Sequence, residues 1–330
     1  MTSPIPLPLR DGDTLFIDNS SMEPFVTCPR LAQYVIARGL KPAGEKVPLI
    51  FGGIIHKILE VRYRALTALH AQTQEVTNVM LATAEREFAK WTPPEDEFRN
   101  YSCAVEFIRR YQEQYPFESF EVVRLPNGDP VIEYPFALPL GTIEINTEMW
   151  VRDVTSGEVS KRHVGTLKVV WIGRIDFAYR SQNGGGIYGM DHKTTSIMGP
   201  SFADQFILSH QLHGYAWALE QIVGERVEGV VVNGLGIRKP TKTGKAFEFQ
   251  RPLIPIQRDL LNEWKVDCLH IISDFVEMAI RGYMPKHTVW CTGKFGTCPF
   301  HKVCTLASED QREIMLNSGE FQKNEWSPLK

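Results

Sequence analysis

The segment G-M-D-H-K-T-T places Asp191, His192 and Lys193 at the end of a run rich in β-branched and aromatic residues. Side chains in a strand alternate between faces, so Asp191 and Lys193 share one face and His192 takes the other. A carboxylate beside an ammonium can hold a divalent ion and position a water or a phosphate. Asp176, in G-R-I-D-F on the preceding run, reaches the same point if the two strands pair in register. Two carboxylates with water and phosphate oxygens form a donor set suited to Mg2+. An ion there would activate water and stabilise charge in an in-line displacement at phosphorus. Lys193 would be a point charge near the transition state or on the attacking water. Taken alone, D-x-K is more often an ion pair on a solvated strand face.

A second group of reactive side chains lies at the two ends of the chain. Cys291, Cys298 and Cys304 fall in W-C-T-G-K-F-G-T-C-P-F-H-K-V-C, and Cys28 in F-V-T-C-P-R-L-A-Q-Y. Intervening glycines and prolines let the chain wrap around a small inorganic core. Four thiolates suit zinc or an iron–sulfur cluster. Zinc ligands usually come in closely spaced pairs, which this spacing with its remote partner does not match. His301 is a further donor, but four cysteines leave it no vacancy. Cys103, in Y-S-C-A-V-E-F, and Cys268, in W-K-V-D-C-L-H, read as buried small hydrophobes.

The elements that must position these residues change character along the chain. The first third reads as helical, over 24–39, 53–69, 76–91 and 98–115, with Ile54, Ile55, Ile58, Leu59 and Arg62 at helical spacing. Strands are expected at 131–138, 142–151, 166–179 and 186–193, joined by short turns as in an antiparallel meander. A helix over 202–223 follows, capped by Ser201 with Asp204 in its first turn. An apolar strand at 227–237 comes next, paired with 247–254, then helices at 258–282 and 309–316. The core order is helix, three strands, helix, strand. His56, in F-G-G-I-I-H-K-I-L-E, falls on an otherwise apolar helix, where a lone histidine is more often a core residue than a ligand. Gln211 and Tyr215 are spaced i, i+4 and share a helix face; alone they are a surface stripe. The spacing of His210 and His213 matches no common helical metal pair.

In this order, G-x-x-x-H (Gly52, His56), G-x-x-D (Gly173, Asp176), D-x-K (Asp191, Lys193) and Q-x-x-x-Y (Gln211, Tyr215) resemble the RecB-like branch of the PD-(D/E)XK nucleases. The similarity extends to the CRISPR-associated RecB-like exonucleases, the AddB nuclease domain and phage-encoded relatives. It covers roughly residues 20–305. It implies an α/β fold with a restriction-endonuclease-like core, a mixed sheet flanked by helices. It also implies roles: His56, Asp176, Asp191 and the His192 carbonyl on Mg2+ or Mn2+, Lys193 as the catalytic lysine, and Gln211 and Tyr215 contacting DNA or ordering the site. Glu133, in V-I-E-Y-P-F, resembles a weaker acidic position, a second-metal or structural residue. The same resemblance turns the cysteine reading towards a 4Fe-4S cluster on Cys28, Cys291, Cys298 and Cys304, stapling the chain ends.

A single domain is expected, with a helical N-terminal part at 20–120 carrying Cys28 and His56, a catalytic sheet and helix at 121–256, and a C-terminal helix and cysteine cluster at 257–330. With 43% hydrophobic and 23% charged residues, the composition is that of a globular protein. No apolar run is long enough to span a bilayer, and the N-terminus lacks the basic start and apolar centre of a signal peptide. A cytoplasmic location, with thiols kept reduced, is the default. A net charge of −3 excludes a generally basic nucleic-acid binder, but acids at a metal site and bases along a groove cancel in that sum. Arg238, Lys239, Lys242 and Lys245 form a basic arm for phosphate or a solvated turn, and R-G-Y-M-P-K-H-T-V-W-C is a second candidate strand-binding stretch. No G-x-x-x-x-G-K-[ST] is present, so unwinding would need a helicase or recombination partner. The reading is a DNA nuclease, exonuclease rather than endonuclease, on single strands or ends. The competing readings are a catalytically silent or partner-dependent DNA-binding subunit and a zinc-stabilised binding protein.

Overall fold

The computed structural model describes residues 4–44, 46–69, 73–182, 184–240, 245–293 and 296–324. The chain divides into two compact units: Met1–Gly44 with Phe136–Gly173 and Asp259–Lys330, and Glu45–Pro135 with Arg174–Arg258. The stretch 121–256 therefore contributes to both. It does so through two long strands, Ile132–Asp153 and Val159–Ser181, the first spanning both segments expected at 131–138 and 142–151.

The unit formed by Glu45–Pro135 and Arg174–Arg258 carries a mixed sheet. The end of Val159–Ser181 pairs antiparallel with Phe120–Val122 and with Ile187–Thr195. Ile187–Thr195 runs parallel to Val227–Ile237. That parallel step needs a crossover, supplied by the helix His210–Val223. Val227–Ile237 is buried along nearly its whole length, as a strand covered on both faces must be. It also pairs antiparallel with Phe247–Gln250 and Leu253–Pro255. These replace the continuous strand expected at 247–254; Arg251 and Pro252 interrupt it, and proline cannot donate to a ladder. Helices Val47–Leu69, Thr73–Phe88 and Tyr101–Gln114 bring Ile55, Ile58, Leu59, Met80 and Phe107 into a core with Phe177, Met190 and Leu235.

Two helix expectations are corrected. Residues 24–39 do not form one helix: Asn19–Thr27 is capped by Asp18, and Cys28 then adopts an extended backbone before Pro29–Ala32 and a π-helical turn at Gln33–Ala37. The helix expected at 202–223 starts instead at His210, with Ser209 as its N-cap. Phe202 explains the delay. It is buried so tightly over Gly234 that a Cβ there would lie 2.6 Å from its ring, which holds the preceding segment against the sheet as a turn.

In the other unit, Leu7–Leu9 and Thr14–Ile17, two strands with no sequence counterpart above, pair parallel with Ile132–Asp153 and Val159–Ser181. Phe321–Lys323 pairs antiparallel with Leu40–Pro42. Beside them, Tyr34, Leu40, Phe300, Val303 and Leu316 form a small core. Cys268 is buried in helix Arg258–Arg281. Burial raises its thiol to about 12, as expected of a core filler; Cys103, in the unit of Glu45–Pro135, is only partly buried against the core there, and burial raises its thiol to about 11. Among the described residues, no helix is long and apolar enough to cross a membrane.

Candidate functional site

Asp176 lies one residue beyond the pair Phe177↔Met190, and Asp191 one residue beyond it on the facing strand. The hairpin register thus brings both acids to one place. Both are buried, at 7% and 1% exposure. Burial raises both carboxyls. At Asp176 the nearby His56 opposes this and Glu133 adds to it; at Asp191 Lys193 opposes it and Asp176 adds to it. The Asp176 carboxylate accepts the His192 backbone N–H at 2.8 Å.

His56 arrives from helix Val47–Leu69, one turn after Gly52. Its Nδ1 is 3.5 Å from Asp176 Oδ2 and 3.7 Å from Glu133 Oε1. Its Nε2 is 3.0 Å from the His192 carbonyl oxygen. Burial lowers its pKa, but Asp176, Glu133 and Asp191 together outweigh that and raise it to about 9. Glu133, given only a secondary role from sequence, stands in this first group: ligand atoms of His56, Glu133 and Asp176 lie within 4.8 Å of one another. Its backbone has φ +48°, a region that costs a non-glycine residue free energy and recurs where a side chain must be aimed.

Two carboxylate oxygens test whether these residues suit a cation. Glu133 Oε1 is buried without a hydrogen-bond donor, and the buried Asp191 Oδ2 faces the Lys193 ammonium, 2.9 Å away. Buried acceptors are normally satisfied, and clustered carboxylates repel. A divalent ion answers both conditions, and the oxygen-rich donor set with one imidazole is compatible with Mg2+ or Mn2+.

Lys193 shares the face of Asp191, as strand alternation requires. Its Nζ donates to Asp191 Oδ1 at 3.2 Å and to Gln211 Oε1 at 2.6 Å, while Gln211 Nε2 donates to Asp191 Oδ1 at 2.9 Å. The three side chains close a triangle. Tyr215, one turn further along the helix, has its pKa raised well above the usual phenol value by burial and then by Asp176 and Asp191. It is therefore a neutral phenol near both acids. His213 hydrogen-bonds the Ser209 carbonyl at its own helix start, and neither it nor His210 falls in the metal-ligating group formed by the described residues.

On the opposite face of the strand, sequence reading missed a buried polar network. His192 Nδ1 accepts from Asn233 Nδ2 at 3.0 Å, and burial drives its pKa well down, so the ring is neutral. Asn233 Nδ2 also donates to Tyr111 Oη at 2.8 Å. Arg251 donates to both Glu118 oxygens, at 2.8 and 2.9 Å, and to Tyr111 Oη at 2.8 Å. Arg62 donates to Glu118 Oε1 at 2.6 Å and is itself 1% exposed. Tyr63 stacks on the His192 ring, with centroids 5.6 Å apart. The one trace of this in the sequence is Arg62 at an apolar helical position.

The four cysteines expected to act together are all half-buried, free thiols of one unit. The His287 backbone N–H points at Cys28 Sγ at 3.4 Å, and the Cys298 N–H donates to the Cys291 carbonyl at 2.9 Å. Burial raises the Cys298 thiol; the Phe300 N–H lowers it, and Cys291 and Cys28 raise it. Burial also raises Cys304, against Arg30 and Lys286 and together with Cys298 and Cys28. Cys298 and Cys304 thus each feel neighbouring thiols. Among the described residues no three of them come within 4.8 Å of one another. Four sulfurs on one zinc ion would be about 3.8 Å apart. In the basic arm, Arg238 is ion-paired with Glu248, and Lys242 lies outside the described residues.

No protein-family model and no curated protein matches the sequence. Among solved structures, a Eubacterium rectale protein for which an exonuclease role has been suggested aligns over 92% of this chain and 93% of its own, at 10% identity and a TM-score of 0.44. SSO0001 aligns over 82% of this chain and 78% of its own, at 12% identity and a TM-score of 0.29. At these values neither likeness bears on the activity.

Proposed function

We propose that this chain is a metal-dependent DNA nuclease of the RecB-like PD-(D/E)XK kind, an exonuclease on single strands or ends. The observation that carries the reading is the meeting of His56, Glu133 and Asp176 beside the Asp191–Lys193–Gln211 triangle, with the buried Glu133 Oε1 lacking a donor. His56, Glu133, Asp176 and Asp191, with the His192 carbonyl, would hold Mg2+ or Mn2+. Bound there, the ion would lower the pKa of a water and neutralise phosphate charge. Lys193 has donors directed to Asp191 and Gln211, and its remaining N–H is available to the attacking water or a non-bridging oxygen. Tyr215, kept neutral by its surroundings, adds no negative charge where a phosphate would sit. Cys28, Cys291, Cys298 and Cys304 would hold a 4Fe-4S cluster. The influence of Cys28 and Cys291 on the Cys298 thiol, and the backbone N–H groups directed at Cys28 and Cys298, support thiols gathered about one inorganic centre.

The test is cleavage of end-labelled linear and circular single-stranded DNA with Mg2+ or Mn2+, using anaerobically purified protein and Lys193→Ala. Loss of linear DNA alone, absent in the variant, is expected. Cut circles would make the enzyme an endonuclease. A folded protein that cuts neither substrate would sink the catalytic reading.

A further inference from the structure

From Met278 to Ser308 the sequence contains no aspartate or glutamate, while Arg281, Lys286, Lys294 and Lys302 all fall within it. In a chain of net charge −3, such a run concentrates positive potential in one place. Lys294 lies outside the described residues. The stretch folds around the segment that carries Cys28. The Arg30 backbone N–H donates to the Pro285 carbonyl at 3.1 Å, and Arg30 Nε donates to the Met284 carbonyl at 2.8 Å. Lys286 reaches the Cys304 carbonyl at 3.3 Å. Arg281, in contrast, is paired with Glu277 at 2.8 Å, and Lys302 lies 3.9 Å from Glu320.

Large apolar side chains stand exposed among these cations. Trp290 is 60% exposed, Tyr283 56% and Val289 83%, and the Arg30 guanidinium lies over the Tyr283 ring, 5.6 Å from its centroid. A protein partner with an apolar face would be served by the aromatics but gives no reason for a run of 31 residues around them without an acid. Single-stranded nucleic acid accounts for both features. Its bases stack on aromatic rings, and its phosphates require cations free of competing carboxylates.

We propose that this surface of the cysteine-bearing unit is a stacking platform for single-stranded nucleic acid, with Trp290 and Tyr283 taking bases and Arg30 and Lys286 facing phosphates. The proposal deepens the nuclease reading, from which it takes the kind of polymer. Its test is fluorescence anisotropy of a labelled oligothymidine, with Lys193→Ala as the parent so that nothing is cut. Trp290→Ala in that parent is expected to weaken binding roughly 5- to 100-fold. Trp290→Phe should recover most of the loss, and Phe117→Ala, which removes an exposed aromatic from the other unit, should change nothing. Lys286→Gln should flatten the dependence of log affinity on log salt by about 0.7. Equal binding by the folded Trp290→Ala protein overturns the platform, while cleavage by the unsubstituted enzyme leaves the nuclease reading standing. A protein that neither binds nor cuts overturns both. Loss of self-association by light scattering in Trp290→Ala, with oligothymidine binding unchanged, would reassign the surface to contact between copies.

Discussion

Gly52 and Thr194 touch: a Cβ on Gly52 would lie 2.9 Å from Thr194 Oγ1. This contact sets how closely helix Val47–Leu69 approaches the strand that ends in Asp191, His192 and Lys193. It therefore also sets where His56, one turn on, meets the His192 carbonyl. Gly52→Ala should push the helix outward by a few tenths of an ångström and loosen the His56 contacts. Since misplacements of about 1 Å can cost about 100-fold in rate, a roughly 4- to 10-fold loss of cleavage is expected, with weaker Mn2+ binding by calorimetry and little change in the melting curve. An unaltered rate would show that the spacing is not set here.

The pKa of about 9 at His56 gives metal binding a pH dependence. Below that value the metal-free ring carries two protons, and coordination through nitrogen must release one. Apparent affinity for Mn2+ should therefore rise with pH, by up to tenfold per unit, and level off near 9. Titrations in buffers of different ionisation enthalpy should show proton release at pH 7. The metal-free protein should show the opposite trend in stability. A histidine whose folded pKa is raised contributes stability that is present below about 6.5 and lost as pH rises through 9. The melting temperature without metal should fall across that interval, and His56→Gln should flatten it.

Glu118 holds two arginines in the buried network, and its removal leaves both without their carboxylate. Glu118→Gln should cost about 3–5 kcal/mol of stability, since breaking a buried pair strands the remaining charge. Asn233→Ala is the finer probe. It removes the donor to His192 Nδ1 while leaving the Arg62–Glu118–Arg251 contacts in place. His192 would offer the ion only its carbonyl, so this loss reaches the site through the backbone alone, and a drop in Mn2+ binding smaller than the roughly 10- to 100-fold typical of a ligand's own hydrogen-bond partner is expected.

The cysteines divide into two groups with separable outcomes. Cys28→Ser should abolish the brown colour and the iron content of anaerobically purified protein. Cys268→Ser, deep in helix Arg258–Arg281, should keep both and lose only some thermal stability. Iron retained in Cys28→Ser would remove Cys28 from the ligand set.

Asp191 and Lys193 can be read from sequence because strand alternation is local and has a period of two. The end of the helix holding Gln211 and Tyr215 is legible for the same kind of reason, since Gly224 closes it with a left-handed cap. Its start is not. Ser201 and Ser209 are both acceptable caps, and the burial of Phe202 over Gly234, a contact distant in sequence, selects the second. Glu133 is underrated because the φ that aims it is invisible in V-I-E-Y-P-F. The Arg62–Glu118–Arg251 group has no local pattern at all, since its members meet only after the helices have packed on the sheet.

The pairing of Leu40–Pro42 with Phe321–Lys323 has a consequence in time. On the ribosome the first of these strands emerges on the order of tens of seconds before the second, at about 5–20 residues per second. Throughout that interval Leu40 and Tyr34 lack Phe300, Val303 and Leu316, the neighbours that later bury them. Cys28 likewise precedes the N–H of His287, which points at its sulfur, by 259 residues. The segment Glu45–Arg258, by contrast, leaves the tunnel before any of these late residues is made. A message truncated shortly after codon 282 would thus yield a chain whose first two strands can still pair with Ile132–Asp153 and Val159–Ser181, while Tyr34 and Leu40 stay uncovered, open to proteases and chaperones.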